Sequence, residues 1–328
     1  MRAAVYERTG SARDVLALCE MPTPDPGPGE VRVRLATSGI NPSDVKTRAG
    51  TRSKILAFPR VIPHSDGAGT IDAVGEGVER ARIGERVWTW NAAWGRAFGT
   101  AAEFVVLPAE QAVPLPANVD FAAAACLGIP ALTAHHAVTM DGGVQGKSVL
   151  VAGGAGAVGH YAIQIARLRG ASQVIATVSS ADKARLAREA GAHQTIDYRS
   201  ENVAERVATL TGGAGIDRII ETDFSANVQL DFAVARANGD IVIYGSNVPE
   251  VPVPFVPAIL KNLQLRFFIV YHLTPTDRVR EIAELGALLA EGRLRHNVAE
   301  RYPLERIVEA HERVESGKVL GNVVLDIA

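Results

Sequence analysis

The amino-acid sequence predicts an α/β fold in which a doubly wound parallel sheet is inserted into a second, β-rich domain. The residues before about Ala122 form short strand patterns punctuated by glycines. From Ala122 onwards apolar strands and helical patterns alternate, which is typical of a parallel sheet covered by helices on both faces. The chain has 328 residues and is therefore long enough for two domains with substantial cores.

The N-terminal part carries the strand patterns of the β-rich domain. Val31–Leu35 alternates apolar and polar residues as a half-buried strand does, and Arg86–Trp90 and Glu103–Leu107 are further short strands. Prolines at positions 22, 24, 26 and 28 mark a long connection between the early strands. We therefore expect a compact, barrel-like arrangement of short strands here.

The second part alternates five predicted strands with helices. The strands are Ser148–Ala152, Gln173–Val178, Gln194–Asp197, Arg218–Glu221 and Asp240–Tyr244. The helices include Asp182–Ala190 and Ala204–Thr209, and the tail adds helices near Arg278–Glu291 and Leu304–Ser316 and a last strand, Asn322–Ile327. This order predicts a nucleotide-binding domain at residues 125–266, inserted into a discontinuous domain made of residues 1–124 and 267–328.

A glycine-rich turn between a strand and a helix is the most specific motif of the chain. The apolar run Val149–Ala152 is followed by Gly153, Gly156 and Gly159, and a helical pattern of apolar residues then continues to Leu168. Glycines let the backbone approach a pyrophosphate, and the helix N-terminus offers free N–H groups. The strand and helix on either side make a dinucleotide pocket the expected function. A second cluster, Gly212–Gly215, precedes a strand and is interpreted as a turn.

The end of the second parallel strand indicates which dinucleotide binds. An NAD site places an acidic residue there to bind the ribose 2′-hydroxyl, whereas this strand ends in Ser179 and Ser180. Asp182 is better explained as a first-turn helix acid. Lys183 suits a 2′-phosphate, which favours NADPH, although it could instead be an ordinary exposed lysine. Gly245 and Ser246 follow another strand, where α/β folds place their ligands.

Several classes of function lack support in the sequence. A net charge of −2 gives no electrostatic footprint for nucleic acid or an anionic membrane. The two cysteines, Cys19 and Cys126, form no disulfide framework and suit a reducing cytoplasm. The eight histidines are scattered, and His135 and His136 are expected to pack or to face solvent, so no metal site is predicted. The apolar stretch Phe121–Met140 is interpreted as a buried helical region.

These motifs together resemble the medium-chain dehydrogenase/reductase superfamily, and within it the zinc-free quinone oxidoreductases related to zeta-crystallin. The resemblance covers nearly the whole chain. Besides the glycine turn it rests on the following segments: Asp14–Leu16, Gly39–Asp44, Ser65–Gly69, Val74–Gly75, Gly84–Val87, Gly128–Ala134, Ala190–Ala192, Asp197–Arg199, Tyr302–Leu304 and Ala310–Glu312. It implies a Rossmann sheet that binds NADPH, inserted into a GroES-like catalytic domain.

The resemblance also implies roles for individual residues. Ala155, Gly156, Ala157 and Val158, next to Gly159, should cradle the pyrophosphate, and Ser179, Lys183 and Tyr198 should surround the adenosine and its 2′-phosphate. The nicotinamide side should be lined by Gly245, Ser246, Phe268, Ile269 and Asn322. Asn41 and Thr133 should border the nicotinamide and the quinone. Structural roles remain open for three of these residues: strand-end packing for Tyr198, helix packing for Thr133 and turn formation before Pro42 for Asn41.

The chain contrasts with the zinc-dependent members of the superfamily and departs from its own subfamily at one position. Zinc-dependent members carry a metal cysteine near the position of Asn41 and a Gly-His-Glu motif where this chain has His64-Ser65-Asp66. His64 falls on the glycine of that motif, so it is not expected to bind zinc. Where the family often has a tyrosine after Asn-Pro, this chain has Lys46, which would make the catalytic cleft more cationic if it points inward.

The expected activity is NADPH-dependent reduction of a quinone without zinc. Two alternatives stay open: reduction of an activated alkene such as an enone or alkenal, and a non-catalytic NADPH-binding role in structure or RNA binding. We expect no membrane association. The resemblance implies a homodimer or homotetramer, formed through an edge strand in the Asp240–Val256 region. Prolines at positions 249, 252, 254 and 257 are compatible with an edge strand there.

Overall fold

The protein, seen in a computed structural model that describes residues 1–51 and 53–327, divides into two compact units. One unit combines Met1–Pro130 with Gly286–Ala328, and the other is Ala131–Leu285. The α/β fold class is confirmed, with the second unit inserted in sequence into the first. Both divisions fall later in the chain than the predicted domain limits, which were after residues 124 and 266.

The described residues form fifteen strands and eleven α-helices. The strands are β1 (Arg2–Val5), β2 (Ala17–Glu20), β3 (Glu30–Ile40), β4 (Asp66–Val74), β5 (Arg86–Thr89), β6 (Phe104–Pro108), β7 (Ala112–Pro114), β8 (Ser148–Val151), β9 (Gln173–Val178), β10 (Gln194–Asp197), β11 (Ile216–Glu221), β12 (Ala235–Ile243), β13 (Gln264–Phe267), β14 (Val298–Pro303) and β15 (Asn322–Asp326). The helices are α1 (Ala12–Val15), α2 (Pro42–Ala49), α3 (Phe121–Ala124), α4 (Leu132–Thr139), α5 (Ala157–Leu168), α6 (Ala181–Glu189), α7 (Val203–Leu210), α8 (Phe224–Val234), α9 (Phe255–Leu260), α10 (Pro275–Ala290) and α11 (Ile307–Glu315). In this part of the chain no helix is both long and apolar enough to cross a bilayer.

The first unit is built around a sheet with the order β14-β15-β3-β4-β5-β7, and β6 pairs with β3. β3 is the longest strand and pairs antiparallel with β4, β6 and β15. Val31, Val33 and Leu35 are buried, whereas Arg34 between them is exposed, as the alternating sequence predicts. Apolar side chains on one face of β3 therefore supply much of this unit's core.

The second unit contains a six-stranded parallel sheet with the order β10-β9-β8-β11-β12-β13. Its chain order starts at β8 in the middle, runs out to β10 and then crosses over to β11, so the strand order reverses between β8 and β11. In open parallel sheets ligands bind at the carboxyl ends of the strands beside this reversal. We therefore expect a ligand site in the segments that follow these strands.

One prediction about the sheet edge is wrong. The Asp240–Val256 region was expected to form an edge strand, but β12 lies between β11 and β13. The edge is β13, whose residues Gln264–Phe267 pair with Asp240–Ile243. The four prolines lie in the connection between β12 and β13 and in α9, where no ladder hydrogen bond is lost. The short sequence QLRF, with two polar residues, did not indicate a strand.

Candidate functional site

The glycine turn after β8 has the predicted strand–turn–helix geometry. Gly153 adopts a left-handed φ of 66°, which glycine tolerates without strain. A Cβ on residue 159 would lie 2.4 Å from the Gly153 carbonyl oxygen, so only glycine allows the first turn of α5 to pack this closely on the turn. The Gly154 N–H donates to the Thr177 carbonyl at 3.0 Å, which fixes the turn against β9.

The N-terminus of α5 fits a pyrophosphate. Gly156 is the N-cap and makes no side-chain cap hydrogen bond, so the first N–H groups of the helix, on Ala157, Val158 and Gly159, are left for a ligand. Ala155, just before the cap, is buried. A helix N-terminus also favours negative charge through its dipole. The residues present therefore fit a dinucleotide phosphate, with the glycine backbone at the point of closest approach.

The second group of predicted residues follows β9 and β10. Ser179 directly follows β9, and Lys183, in the first turn of α6, donates from Nζ to the Ser179 hydroxyl at 3.0 Å. Tyr198 follows β10, donates its N–H to Val178 at 3.1 Å and is 53% exposed, so its ring is not buried as strand-end packing would require. Asp182 lies in the first turn of α6, where the helix dipole stabilises its negative charge. A cation and a hydroxyl thus stand together where an NAD site would need an acid.

The third group follows β12 and β13. A Cβ on Gly245 would lie 2.1 Å from the Thr222 carbonyl oxygen, so a glycine is needed where these two loops touch. Ser246 Oγ donates to the Val248 carbonyl at 2.8 Å. Phe268 donates its N–H to Ile243 at 3.2 Å, which places Phe268 and Ile269 at the same sheet edge as Gly245. The structure therefore brings the predicted cofactor residues of this unit to the carboxyl edge of one sheet.

The segment after β11 also lies at this edge of the sheet, although no residue of it was predicted as part of the site. Glu221 is fully buried and accepts from the Asp223 N–H and, at 3.0 Å, from the Asn227 amide. Burial and the adjacent Glu221 raise the pKa of Asp231 to about 9, so this buried pair shares a proton at neutral pH. The pair holds the turn containing Thr222, which contacts Gly245. The rule that sites follow parallel strands would have identified Thr222 and Asp223.

Thr133 lies on α4 in the second unit and is 4% exposed. His136 follows it by one helical turn, so the two side chains share a face of the helix. The His136 ring meets the Phe268 ring edge-on, with centroids 4.7 Å apart. The structure therefore brings α4 to the aromatic residue predicted for the nicotinamide side, and His136 is a site candidate that the sequence analysis had assigned to packing or solvent.

Asn41 lies just before α2 and Lys46 lies on this helix, both in the first unit. Asn41 is the N-cap of this helix, and its N–H donates to the Asp44 carboxylate at 2.8 Å. Its Nδ2 donates to Asp66 Oδ2 at 2.9 Å, and the Ile129 N–H donates to the same oxygen at 3.0 Å. Asn41 is 3% exposed, so its amide has a fixed orientation. Lys46 is half-buried.

Asn322 opens β15 in the first unit and is buried. Its side-chain amide and its backbone N–H both donate to the Asn297 carbonyl, at 3.1 and 2.9 Å. These contacts account for its burial through local structure. A role toward a cofactor remains a prediction for this residue.

His64 occupies a backbone conformation that glycine favours, with a φ of 78°. Its Nδ1 lies 2.9 Å from Ser38 Oγ and its Nε2 lies 2.8 Å from His311 Nε2. Both ring nitrogens are therefore engaged within the protein. Across residues 1–51 and 53–327 there is no group of three or more histidine, cysteine or acidic residues that could hold a metal ion.

Two family models match the chain. The model described as alcohol dehydrogenase GroES-like domain covers residues 27–117, within the first unit. The model described as zinc-binding dehydrogenase covers residues 157–289, from the start of α5 to the last turn of α10. The first match thus lies in the β-rich unit, and the second lies mainly in the unit with the parallel sheet.

Curated relatives align over almost their whole length. A quinone oxidoreductase from Pseudomonas aeruginosa is 32% identical over 319 residues, covering 95% of this chain and 95% of the relative. A 2-haloacrylate reductase from a Burkholderia species is 29% identical, covering 99% of this chain and 98% of the relative. The chain is thus similar both to a quinone reductase and to a reductase named for an alkene.

Solved structures share the whole fold. A structure described as an NAD-dependent alcohol dehydrogenase superposes with a TM-score of 0.90 at 32% identity, covering all of both chains. The Escherichia coli quinone oxidoreductase in complex with NADPH superposes with a TM-score of 0.89 at 27% identity, again covering all of both chains. The two names differ in the cofactor, so the choice between NADH and NADPH depends on the residues of this chain.

Proposed function

The chain belongs to the quinone oxidoreductases of the medium-chain dehydrogenase/reductase superfamily, and from that premise we propose that it reduces a quinone with NADPH and without zinc. The observation that carries the proposal is the carboxyl edge of the parallel sheet. There a glycine turn opens α5, and Lys183 contacts Ser179 where an NAD enzyme would carry an acid.

The preference for NADPH rests on charge at the end of β9. An ammonium and a hydroxyl can both donate to a 2′-phosphate, whereas a carboxylate would repel it. Tyr198 is exposed beside the same strand end and can stack on the adenine or donate from its hydroxyl. These three side chains form the proposed 2′-phosphate site.

When bound, NADPH supplies the hydride from C4 of its nicotinamide. Phe268 and Gly245 support the nicotinamide side of the pocket, because both follow strands at the same edge as the glycine turn. Thr133 and Asn41 orient the nicotinamide or the acceptor through hydrogen bonds, and Asn41 has a second Nδ2 hydrogen besides the one given to Asp66. Lys46 adds positive charge for an acceptor oxygen that becomes negative on reduction.

Reduction of an activated alkene is the second candidate. The similarity to a 2-haloacrylate reductase favours it, because that relative is named for a substrate with a carbon–carbon double bond. Both reactions use the same hydride, and they differ in where the acceptor takes up its proton.

One kinetic panel separates these possibilities. The purified protein is assayed with NADPH and with NADH against ortho-quinones, para-quinones and enals, and cofactor binding is followed by fluorescence. We expect kcat/KM to be higher with NADPH and quinone turnover to exceed enal turnover. Alanine at Thr133 or Asn41 should lower turnover, and full turnover in both variants would contradict their proposed roles. A preference for NADH would contradict the 2′-phosphate site, and enal reduction without quinone reduction would favour the second candidate.

A further inference from the structure

We propose that His136, oriented by the buried carboxylate of Glu281, donates the proton that completes reduction of the acceptor. The inference rests on the proposed function, because it adds the proton to the hydride transfer described there. All the residues that carry it lie in the second unit.

The first observation is a histidine–carboxylate pair inside the protein. His136 Nδ1 lies 2.5 Å from Glu281 Oε1, and Glu281 is fully buried on α10. Burial raises the pKa of Glu281, but the adjacent imidazoles of His135 and His136 outweigh that effect and lower it to about 2. The carboxylate is thus charged at neutral pH and fixes the proton of His136 on Nδ1. A carboxylate in this arrangement sets both the ring orientation and the tautomer of its histidine.

The second observation is that the other nitrogen of His136 is left for a ligand. Among the described residues His136 has a hydrogen-bond partner at Nδ1 only. Its Nε2 has no such partner and is not fully buried, so a ligand can reach it. The side chain is 9% exposed. Long side chains on a helix point back over the preceding turn, which here carries Thr133. The ring also contacts Phe268, on the predicted nicotinamide side.

The neighbouring histidine gives a contrast on the same helix. The His135 ring is fully buried, its Nδ1 lies 3.7 Å from Glu281 Oε2 and its Nε2 lies 3.3 Å from Glu284. Arg169 donates to His135 Nε2 at 3.2 Å. His135 is therefore enclosed by charged groups, whereas His136 has a carboxylate on one nitrogen and no partner among the described residues on the other.

Two arginines bring positive charge close to the pair: Arg280 on α10, and Arg169 after α5, which pairs with Glu284. Arg280 Nη2 is 3.3 Å from Glu281 Oε1 and 2.7 Å from Asp277, so it contacts the same carboxylate oxygen as His136. The Phe268 ring lies edge-on to the His136 ring, and the Tyr244 ring lies beside Phe268 with centroids 6.2 Å apart. The ring of His136 thus faces one carboxylate directly, and Arg280 divides its charge between that carboxylate and Asp277.

The atoms and electrons of the step balance. The quinone receives a hydride from the dihydronicotinamide, whose C4–H bond breaks as the ring is oxidised to the nicotinamidium. The reduced acceptor carries one negative oxygen, which takes the proton from His136 Nε2 as the N–H bond breaks and an O–H bond forms. Neutral His136 then regains a proton from water. For an alkene acceptor the same proton goes to the enolate.

The test compares His136→Gln with the matched variant His135→Gln. We expect kcat of the wild-type protein to depend on pH and to show a solvent deuterium isotope effect. In H136Q we expect kcat to drop about 100-fold and to lose both the pH dependence and the isotope effect. H135Q should keep both, because Glu281 still contacts Nδ1 of His136 in that variant. NADPH affinity, measured by fluorescence, should be unchanged in H136Q, which separates proton donation from cofactor binding.

Two further measurements cover a folding defect and the ligand-free protein. In His136→Gly, added imidazole should restore turnover if the missing group is a proton donor. Nitrogen-15 NMR of the ligand-free protein should show a proton on Nδ1 of His136, and Glu281→Gln should abolish that tautomer preference. If the wild type reduces a quinone or enal but H136Q keeps its kcat, pH profile and isotope effect, this inference alone is wrong. If the wild type reduces neither acceptor, the proposed function is wrong as well.

Discussion

His64 Nε2 lies 2.8 Å from His311 Nε2, and the two imidazoles stack with their centroids 5.1 Å apart. Both rings are buried inside the first unit, and Ser38 Oγ contacts His64 Nδ1 at 2.9 Å. Two neutral histidines can share one proton in this arrangement, because one Nε2 donates and the other accepts. A proton added to either ring would be left without solvent, beside the charge of the buried Arg48.

Acidification should therefore destabilise the protein through this pair. Burial lowers the pKa of His64 to about 3, whereas a histidine in an unfolded chain titrates near 6.5. Between these values the unfolded chain binds more protons than the folded one, so the free energy of unfolding falls as pH drops from about 6.5 toward 3. Urea unfolding at pH 8, 6 and 5 measures this slope.

His64→Asn is the matched variant, because asparagine tolerates the left-handed backbone at this position and does not titrate. We expect a shallower loss of stability on acidification in this variant than in the wild type. An equal slope in the two proteins would show that other groups cause the acid sensitivity.

The parallel-sheet unit was largely predictable because its signals are local. Apolar strands followed by glycine or small polar residues define β8, β9 and β12, and the spacing of Gly153, Gly156 and Gly159 defines the turn and helix. The strand β13 escaped detection because four residues with two polar side chains carry no distinctive period. The boundary of each strand depends on partners far away in sequence.

The side-chain pairs of the site could not be predicted in the same way. Asn41 followed by Pro42 and Asp44 is an N-cap signature, so the start of α2 could be predicted from the sequence. The hydrogen bond from the Asn41 amide to Asp66 could not. Glu281 stands 145 positions after His136, and no local pattern connects them. His135 and His136 look alike in the sequence, and only the packing of α10 distinguishes them.

Replacement of Gly159 by alanine should abolish cofactor binding. The new Cβ would lie 2.4 Å from the Gly153 carbonyl oxygen, so the turn must move away from α5. We expect a loss of stability of about 1–3 kcal/mol and no measurable NADPH binding by fluorescence titration. Gly286→Ala is the control, because nothing lies within 4 Å of that position in α10. It should stabilise the protein by about 1 kcal/mol, since glycine is a poor helix former. Normal NADPH affinity in G159A would contradict the proposed pyrophosphate cradle.

Removal of the Lys183 ammonium should alter cofactor selectivity. A charged hydrogen bond contributes roughly 1.5–3 kcal/mol, so Lys183→Ala should raise KM for NADPH at least tenfold while KM for NADH stays the same. Arg185→Ala, on the same exposed helix, removes a cation that pairs with Glu189 at 2.8 Å and should change neither value. Steady-state kinetics with both cofactors gives the comparison. An equal effect of K183A on NADPH and NADH would indicate a structural role for Lys183.

Association of two or more chains should depend on the surface formed by α9 and β13. Large apolar side chains are concentrated there, with Leu260 79%, Phe255 71% and Phe267 63% exposed. A cluster of this kind beside a sheet edge is typical of an interface, because an edge strand also offers unpaired backbone groups. We expect the wild type to sediment as a dimer or tetramer, and Leu260→Glu to shift it to a smaller species. Val279→Glu, at an equally exposed apolar position on α10, should leave the assembly unchanged. A wild-type monomer at micromolar concentration, or dissociation by V279E and not by L260E, would contradict this assignment of the interface.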